Sequence, residues 1–364
     1  MTVSAPVRPC PSAGADRAPG VDRAAGCAAA EPRDRPDAGQ RQGPGPLAQA
    51  RSVSVIIPAR NAAASIGGIV RAILAQRPPG ADMEVIVVDD ASTDDTAAEA
   101  RAAGARTLVV PAAQAGNPAV ARNLGARAAR GEILVFLDAD CMPVERWLRS
   151  LLDAHDRGEA IVGGALDLPS DLSFTARCDY FCGWYHVHSR RSAGYVVNHP
   201  PGNASVRREL FLSTSGFDER HPIAFAHEEL RWQAELLGRG LRIYFEPRAV
   251  VLHRNRSGFR NLLARNYRWG CSAIESKATT GAARMAWLYR HPCLLIVLAP
   301  ASALLQTLYI VACWLRAGAL EPFVMLPVLF VARAAYTAGM VVGGIRWLRS
   351  RRARGPIEIR PRWV

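Results

Sequence analysis

The sequence predicts an α/β fold with a mostly parallel central sheet, followed by a C-terminal pair of apolar helices. Two observations lead to this prediction. Short apolar runs rich in β-branched residues alternate with segments of helical periodicity over residues 52–137, which is typical of a parallel sheet covered by helices. Two longer apolar runs follow at 292–315 and 322–345.

Composition and charge narrow the classes of function. The chain of 364 residues has 45 Lys and Arg against 32 Asp and Glu, a net charge of +13. The arginines gather in the first 60 residues, at 254–290 and at 346–362. Because no aromatic-interleaved basic stripe or zinc-finger spacing accompanies them, we interpret the charge as a face toward anionic lipid and expect no nucleic-acid partner. The eight cysteines form no C-x-x-C pair, which favours free thiols.

Residues 1–51 are predicted to be a disordered leader. They are rich in Ala, Pro, Gly, Arg and Asp and contain almost no large apolar residue. Burial could therefore not offset the conformational entropy that folding would cost. No uninterrupted apolar stretch follows the first residue, so we expect no secretory signal.

Strands and helices alternate through residues 52–143. We expect Ser92 or Thr93 to cap the helix after the second strand, and we interpret Asp94 and Asp95 as helix-capping residues as well. No Gly-x-Gly-x-x-Gly motif follows the first strand, which argues against a dinucleotide-binding fold. The predicted elements are strand 52–61, helix 62–76, strand 84–90, a helix reaching residue 103, strand 107–110, helix 119–129 and strand 133–137.

The main chemical signal is the segment 131–143, an apolar run that ends in Asp138-Ala139-Asp140. Its uncharged core is typical of a strand buried on both faces. The carboxyl ends of parallel strands face the ligand crevice, so the two acids would lie at the mouth of a site. Carboxylates are preferred ligands of Mg²⁺ and Mn²⁺, which are often shared with substrate phosphates. Taken alone, such a pair is more often a solvated turn than a metal site.

Four short motifs, in this order and spacing, resemble those of the family 2 glycosyltransferases of the GT-A fold. The resemblance covers roughly residues 53–253 and extends more faintly beyond. It implies a nucleotide-sugar half at 52–143 and an acceptor half at 144–256. The motifs are Pro58-Ala-Arg-Asn61, Val88-Asp-Asp-Ala-Ser-Thr-Asp94, Ala121-Arg-Asn-Leu-Gly125 and Leu137-Asp-Ala-Asp140.

The resemblance implies that the loops after the first two strands bind the nucleotide. The first loop, from Pro58 through Ala59 to Asn61, would line the base and ribose pocket. Asp89 and Asp90 would accept hydrogen bonds from the base or ribose, a role that suits carboxylates because they are acceptor-only groups.

The resemblance also implies a diphosphate and metal site. Arg122 would lie near the diphosphate, or brace Asp138 or Asp89; the alternative is an exposed helix arginine. Asp140 would bind the metal directly, whereas Asp138, next to Ala139, would bind ribose or reach the metal through water. His253 would complete the metal or diphosphate site, with a structural role as the alternative.

The acceptor half carries departures from the family pattern. Glu229 stands where the family has an aspartate general base, and Glu228 is a competing candidate because the extra methylene moves the carboxylate. Ser215 replaces the first glycine of a Gly-Gly-Phe-Asp turn, and Glu235 stands where an arginine is frequent. Two acids placed favourably at a helix N-terminus are the structural alternative for the base motif.

The C-terminal part is predicted to anchor the protein in a membrane. Residues 257–291 would form basic interfacial helices, and the apolar runs at 292–315 and 322–345 would span the bilayer as a hairpin, the second interrupted by Arg333. Residues 346–364 would form a basic cytoplasmic tail. The positive-inside rule then makes this a multi-pass protein of the cell membrane with a cytoplasmic catalytic domain. Buried core helices or interfacial helices are the alternatives.

The function implied by the resemblance is an inverting, metal-dependent glycosyltransferase. It would use Mg²⁺ or Mn²⁺ and a nucleotide-diphosphate sugar, with UDP preferred over GDP or dTDP, and act on a hydroxyl of a lipidic or membrane-borne acceptor. Two alternatives stay open. The acceptor could be a polyprenyl phosphate, which needs no base, or the chain could be a non-catalytic membrane protein that retains a nucleotide-sugar-binding fold.

Overall fold

The computed structural model describes residues 52–220, 227–280 and 286–354. The predicted leader, 1–51, and the end of the predicted tail, 355–364, lie outside the described residues. The strands are β1 Ser52–Ala59, β2 Asp82–Asp89, β3 Arg106–Val109, β4 Ile133–Leu137, β5 Cys141–Pro143, β6 Ile161–Asp167, β7 Gly194–Val196, β8 Asn203–Arg207 and β9 Ile243–His253.

Thirteen α-helices occur in the described parts of the chain, beside one short 3₁₀ turn. They are α1 Ala63–Leu74, α2 Thr96–Ala102, α3 Pro118–Ala128, α4 Trp147–Asp156, α5 Phe174–Gly183, α6 Arg208–Leu212, α7 Leu230–Gly238, α8 Phe259–Thr280, α9 Ala286–Tyr289, α10 Pro292–Val297, α11 Ala299–Arg316, α12 Glu321–Val324 and α13 Leu326–Arg354.

A nine-stranded sheet organises the α/β domain in the order β3-β2-β1-β4-β8-β6-β9-β5, with β7 paired to β9. The neighbours β3, β2, β1 and β4 are all parallel. Strand β8 then pairs antiparallel with β4 and β6, while β9 runs parallel to β6. The predicted α/β class is confirmed. The sequence did not predict that β8, from the second half, would lie beside β4.

Successive side chains of a strand point to opposite faces of the sheet. Both faces of the parallel strands are buried, because helices cover each of them. One face packs on α1, the other on α3 and α7. Gly125 of α3 is required for this packing, since a Cβ there would lie 2.4 Å from Cγ2 of Ile56. The strand residues on the first face are Val55, Ile57, Val85, Val87 and Val135, and those on the second are Ile56, Ile86, Val88, Leu134 and Phe136.

The loop before α2 differs from the prediction. Asp95 is the N-cap of α2 and makes no side-chain capping bond, so the prediction that Ser92 or Thr93 caps this helix is wrong. Instead, Asp94 accepts hydrogen bonds from the backbone N–H of Ala63, at the start of α1, and of Thr96. Its carboxylate therefore accepts bonds at two helix starts. The hydrogen bond from the Thr96 hydroxyl, followed by these backbone bonds, lowers the pKa of Asp94.

The first predicted membrane span is interrupted. Residues 292–315 form two helices, α10 and α11, that meet at Leu298. Of the helices in the described residues, one is long and apolar enough to cross a bilayer, at Leu326–Ser350 within α13, and half of it is buried inside the protein. It packs closely on α8. A Cβ on Gly339 would lie only 2.1 Å from the carbonyl oxygen of Tyr267. Such close backbone contact needs small residues.

The tip of the predicted hairpin lies against the α/β domain. Glu321 at the start of α12 forms an ion pair with Arg177 of α5. The indole N–H of Trp314 donates to the carbonyl oxygen of Phe181 at 2.8 Å, and its ring stacks on His188. If the two apolar runs spanned the bilayer as a hairpin, with both ends on the side of the α/β domain, the tip would lie on the far side of the membrane. The hydrocarbon core between them is about 30 Å thick. The geometry therefore does not support the predicted two-span hairpin.

Candidate active site

The loops after β1 and β2 are joined by hydrogen bonds at the rim of a cleft. The Asn61 side-chain oxygen accepts from the backbone N–H of Thr93 at 2.8 Å, and Asn61 has a left-handed backbone with φ of 51°. The carbonyl of Ala59 accepts from the N–H of Asp90, and the Ala59 side chain is buried. Pro58 lies within β1. Of these predicted pocket residues, Asn61 is the exposed one.

Asp89 and Asp90 each use one oxygen to hold the cleft loops. Asp89 Oδ1 accepts from the backbone N–H and the hydroxyl of Ser92. Asp90 Oδ1 accepts from the N–H of Gly116 at 2.7 Å. Both residues are buried at the carboxyl end of β2, and in the described residues their Oδ2 atoms accept no hydrogen bond. One acceptor oxygen on each therefore stays available to a ligand.

Arg122 connects the two halves of the cleft. It is 4 % exposed, and its guanidinium donates to Asp138 Oδ1 at 2.7 Å and to Glu228 Oε1 at 2.9 Å. It also lies over the ring of Phe217. Burial opposes its charge, but Asp138 and then Glu228 outweigh burial and raise the pKa of Arg122. Arg122 therefore braces Asp138 and is not an exposed helix arginine.

Asp138 approaches its neighbours closely. A Cβ on Gly202 would lie 2.4 Å from Asp138 Oδ2, so glycine is required at that position in the Pro201-Gly-Asn segment. Asp138 Oδ1 is bound to Arg122, which places Asp138 with the arginine rather than with the other predicted metal ligands. Next to it, the Ala139 carbonyl accepts from the Ser65 hydroxyl at 3.1 Å, which fixes the loop between the two aspartates.

Asp140, Cys141 and His253 form a cluster with metal-ligand geometry. Cys141 lies opposite His253 in the antiparallel pairing of β5 with β9. His253 Nε2 is 3.7 Å from Asp140 Oδ1, and one ligand atom of each of the three residues lies within 4.8 Å of the others. A carboxylate and an imidazole suit a divalent transition ion such as Mn²⁺. Sequence reasoning missed Cys141, although it directly follows the Asp-x-Asp pair.

A hydrogen-bond chain fixes the tautomer of His253. Asn255 Nδ2 donates to Asp179 Oδ2 at 2.7 Å, which turns the amide oxygen of Asn255 toward the histidine. His253 Nδ1–H then donates to that oxygen at 2.8 Å. The Nε2 lone pair is left facing Asp140, as a metal-binding histidine requires. Asp179 is in turn paired with Arg265 of α8.

Glu228 and Glu229 precede α7 and differ in surroundings. Glu228 is buried and held by Arg122, whereas Glu229 is partly buried and has no ion pair with a described residue. Burial and then the charge of Glu228 raise the pKa of Glu229 above its usual 4.5. His227 has a left-handed backbone with φ of 67°, a strained conformation of the kind that recurs at functional sites.

The two departures from the family pattern compensate each other. Ser215 donates to Glu235 Oε2 from its backbone N–H at 2.9 Å and from its hydroxyl at 2.8 Å. Arg239, one turn after Glu235, completes an ion pair with it. Glu235 therefore takes part in an ion pair, although it stands where the family frequently has an arginine. The altered residues hold the turn before Phe217 instead of indicating a lost site.

The cleft therefore combines a cation-binding cluster, free carboxylate oxygens and a carboxyl group of raised pKa. Arg122 links the Asp138 side to the Glu228 side in one bonded network. The structure joins Asp138, Arg122 and Glu228 in one set of hydrogen bonds and brings Asp140 close to His253 at the end of β9. Asp89 and Asp90 lie at the carboxyl end of β2, whose neighbours in the sheet are β1 and β3. Sequence reasoning missed Cys141, Asn255 and the Arg122–Glu228 contact; Asn255 lies two residues after His253.

The chain is similar in sequence to known glycosyltransferases. A family model, glycosyl transferase family 2, matches residues 54–212. The glycosyltransferase AglE of Haloferax volcanii is 30% identical over 232 residues, 61% of this chain and 73% of that protein. The pre-mycofactocin glycosyltransferase of Mycobacterium tuberculosis is 29% identical over 263 residues, 65% of this chain and 52% of that protein. A mannosyltransferase from Pyrobaculum calidifontis, solved with GDP-Man and Mn²⁺, has a TM-score of 0.49 at 21% identity, covering 86% of this chain and 78% of that chain.

Proposed function

Since the chain belongs to glycosyltransferase family 2, we propose that it transfers a sugar, with inversion, from a nucleotide-diphosphate donor to a membrane-borne acceptor. The observation that carries this proposal is the Arg122 bridge. It joins Asp138, beside the metal cluster, to Glu228, beside the proposed base. Donor and acceptor chemistry therefore share one rigid network.

The donor side is assigned to the ends of the parallel strands. The free Oδ2 atoms of Asp89 and Asp90 accept hydrogen bonds from the base or ribose, with UDP as the preferred nucleotide. Asp140 and His253 would hold Mn²⁺ or Mg²⁺, with Asp138 close by on Arg122. When bound, the ion neutralises charge that builds on the departing diphosphate.

The acceptor side is assigned to Glu229. Its raised pKa makes it a stronger base than an ordinary carboxylate, and it forms no ion pair with a described residue. Glu229 accepts the proton of the acceptor hydroxyl as that oxygen attacks the anomeric carbon from the side opposite the diphosphate. Glu228 positions Arg122. The chain's contribution is mainly orientation and electrostatics.

Asp140→Ala tests the donor assignment. We expect Mn²⁺ binding and sugar transfer to be lost while the thermal unfolding temperature stays close to that of the unmodified chain, because Asp140 is exposed. Transfer is measured by mass spectrometry of the released nucleotide across a panel of sugar donors. Undiminished turnover in Asp140→Ala would reject the assignment. A folded chain without transfer or donor hydrolysis would support the non-catalytic alternative.

Glu229→Gln separates the two kinds of acceptor. With a hydroxyl acceptor we expect transfer to fall about 10²–10⁴-fold, because a general base is lost. With an acceptor phosphate as the nucleophile, which is already ionised, the variant would keep most of its activity. Glu228→Gln is the matched comparison, because its effect would instead come through a weakened contact with Arg122.

We also propose that the C-terminal helices bind the cell membrane with the α/β domain on the cytoplasmic side. Exposed apolar side chains such as Leu305 and Val324 accompany exposed Arg346 and Arg349, a combination suited to an anionic lipid surface. Because the α12 tip contacts α5, attachment to one leaflet fits better than a hairpin. Vesicle flotation with and without anionic lipid tests this; indifference to lipid charge would contradict it.

A further inference from the structure

Arg333 is a buried cation without a described acidic partner. It lies in the middle of α13 and is 7 % exposed. Its guanidinium contacts two neutral amide oxygens, those of Asn266 and Gln306, and lies 3.8 Å from the centroid of the Tyr336 ring. In the described parts of the chain its Nε atom has no hydrogen-bond partner. Among the described residues, the groups that contact this arginine are therefore neutral: two amide oxygens, the Tyr336 ring and the Cys182 thiol.

Lys277 of α8 is a second cation at the same tyrosine. Its Nζ atom is 3.3 Å from the Tyr336 hydroxyl, and it lies 5.1 Å from the ring of Tyr289 and 5.9 Å from that of Tyr336. No described carboxylate pairs with it.

The two cations meet at Tyr336 and belong to one cluster. Both act electrostatically on the hydroxyl of Tyr185. Lys277 is also among the charges that act on the Glu229 carboxyl. The cluster lies where α8 packs on α13, and a hydrogen bond between His227 and Ser272 joins α8 to the segment that carries Glu229.

Two cations with neutral partners favour an anionic ligand. Removing ammonium and guanidinium groups from water is costly, and contacts with rings and amides offset only part of that cost. A phosphoryl group would accept charge-assisted hydrogen bonds from both, since a guanidinium fork and an ammonium group are the usual partners of phosphate oxygens. Tyrosine rings beside them suit the organic part of such a ligand.

We propose that Lys277 and Arg333 form a binding site for a phosphoryl group of the acceptor. The proposal rests on the proposed function in one respect, because the acceptor is placed at this site by its proximity to Glu229. The shared chemistry is a phosphate ester, which a lipid carrier or a soluble metabolite could supply. Comparing the binding of a lipid phosphate with that of a soluble phosphate ester distinguishes these two sources.

The test measures binding of farnesyl phosphate and of glycerol 3-phosphate to the full chain in detergent micelles by calorimetry, with farnesol as the uncharged control. We expect farnesyl phosphate to bind and farnesol to bind at least about tenfold more weakly. Lys277→Gln and Arg333→Gln should each weaken farnesyl phosphate binding about tenfold or more. Binding of glycerol 3-phosphate with the same dependence on both residues would assign a soluble phosphate ester instead.

Two further variants control for folding and for general charge. Lys277→Arg keeps the charge and should retain most of the binding. Arg71→Gln removes an exposed arginine from α1, in the α/β domain, and should leave binding unchanged. Equal binding of both phosphates by the glutamine variants and the unmodified chain, or equal binding of farnesol and farnesyl phosphate, would overturn the proposal.

Binding of UDP with Mn²⁺ is measured in the same samples. A chain that binds UDP but neither phosphate ester would overturn this inference and leave the proposed donor chemistry standing. A chain that binds farnesyl phosphate through Lys277 and Arg333 but no nucleotide would support the site and contradict the proposed function. The two failures are therefore distinguishable.

Discussion

Arg122 and Arg333 are both buried arginines, yet their surroundings are opposite. Arg122, in the α/β domain, is held by two carboxylates, Asp138 and Glu228. Arg333, in the helical part, contacts amide oxygens and a tyrosine ring. The first charge is balanced within the described protein, and the second is not. The difference indicates that Arg122 is a fixed part of the fold, whereas Arg333 is suited to a ligand that brings its own negative charge.

Arg122→Met should give the largest effect on stability. Removing one partner from a buried ion-pair network leaves the others uncompensated, which costs about 3–5 kcal/mol. We expect the free energy of unfolding, measured by denaturant titration, to fall by that amount. Arg127→Met is the matched control on the same helix, because its pair with Glu219 is largely exposed and should contribute about 0–1 kcal/mol. Equal losses in the two variants would contradict the bridging role of Arg122.

Glu229→Gln tests the raised pKa of Glu229, the carboxyl group to which Arg122 donates no hydrogen bond. Because the pKa of Glu229 is raised in the folded protein, the folded state holds the proton more tightly than the unfolded chain. The resulting stability is present below the unfolded pKa and is lost as pH rises through the folded pKa.

Glutamine cannot ionise, so Glu229→Gln should lose less stability than the unmodified chain as pH rises from about 5 to about 9, by on the order of 2–3 kcal/mol. Denaturation midpoints at the two pH values give the measurement. Glu99→Gln, at an exposed acid on α2, is the control. A pH dependence identical in Glu229→Gln and the unmodified chain would show that Glu229 is not desolvated.

The parts of the site that the sequence predicted are those built from local pattern. Asp89, Asp90 and Asp140 follow buried strands, and strand order along the chain places their ends together. The Arg122–Glu228 contact joins residues 106 positions apart, so no local pattern reveals it. Adjacent residues on one segment point in different directions. The sequence could therefore not tell which of Glu228 and Glu229 the arginine holds.

The interrupted apolar helix had a visible cause in the sequence. Pro300 lies in the middle of the run at 292–315, and α11 carries a proline in its first turn. Proline lacks an N–H group and clashes with the preceding turn, so the helix ends before it and a new one begins. A hydropathy value averaged over the whole run does not detect this break in the helix. The contacts of Trp314 with α5 could not be predicted, because they depend on how the helices dock.

Asn255→Leu should weaken metal binding without touching a ligand. It removes the acceptor that fixes the His253 tautomer, and such supporting contacts contribute about 10–100-fold to metal affinity. Mn²⁺ titration by calorimetry measures the effect on the full chain without substrate. Asn261→Leu, at an exposed asparagine of α8, is the control. Unchanged Mn²⁺ affinity in Asn255→Leu would mean that His253 is not a ligand.

Among these variants, Arg333→Met should lower the free energy of unfolding least. No described carboxylate is left behind when this charge is removed, so the cost is limited to lost hydrogen bonds with Asn266 and Gln306, about 1–2 kcal/mol. Denaturant titration under the conditions used for Arg122→Met gives a direct comparison. A loss as large as that of Arg122→Met would show that Arg333 already has an anionic partner within the protein, and would leave no unbalanced charge for a phosphate to meet.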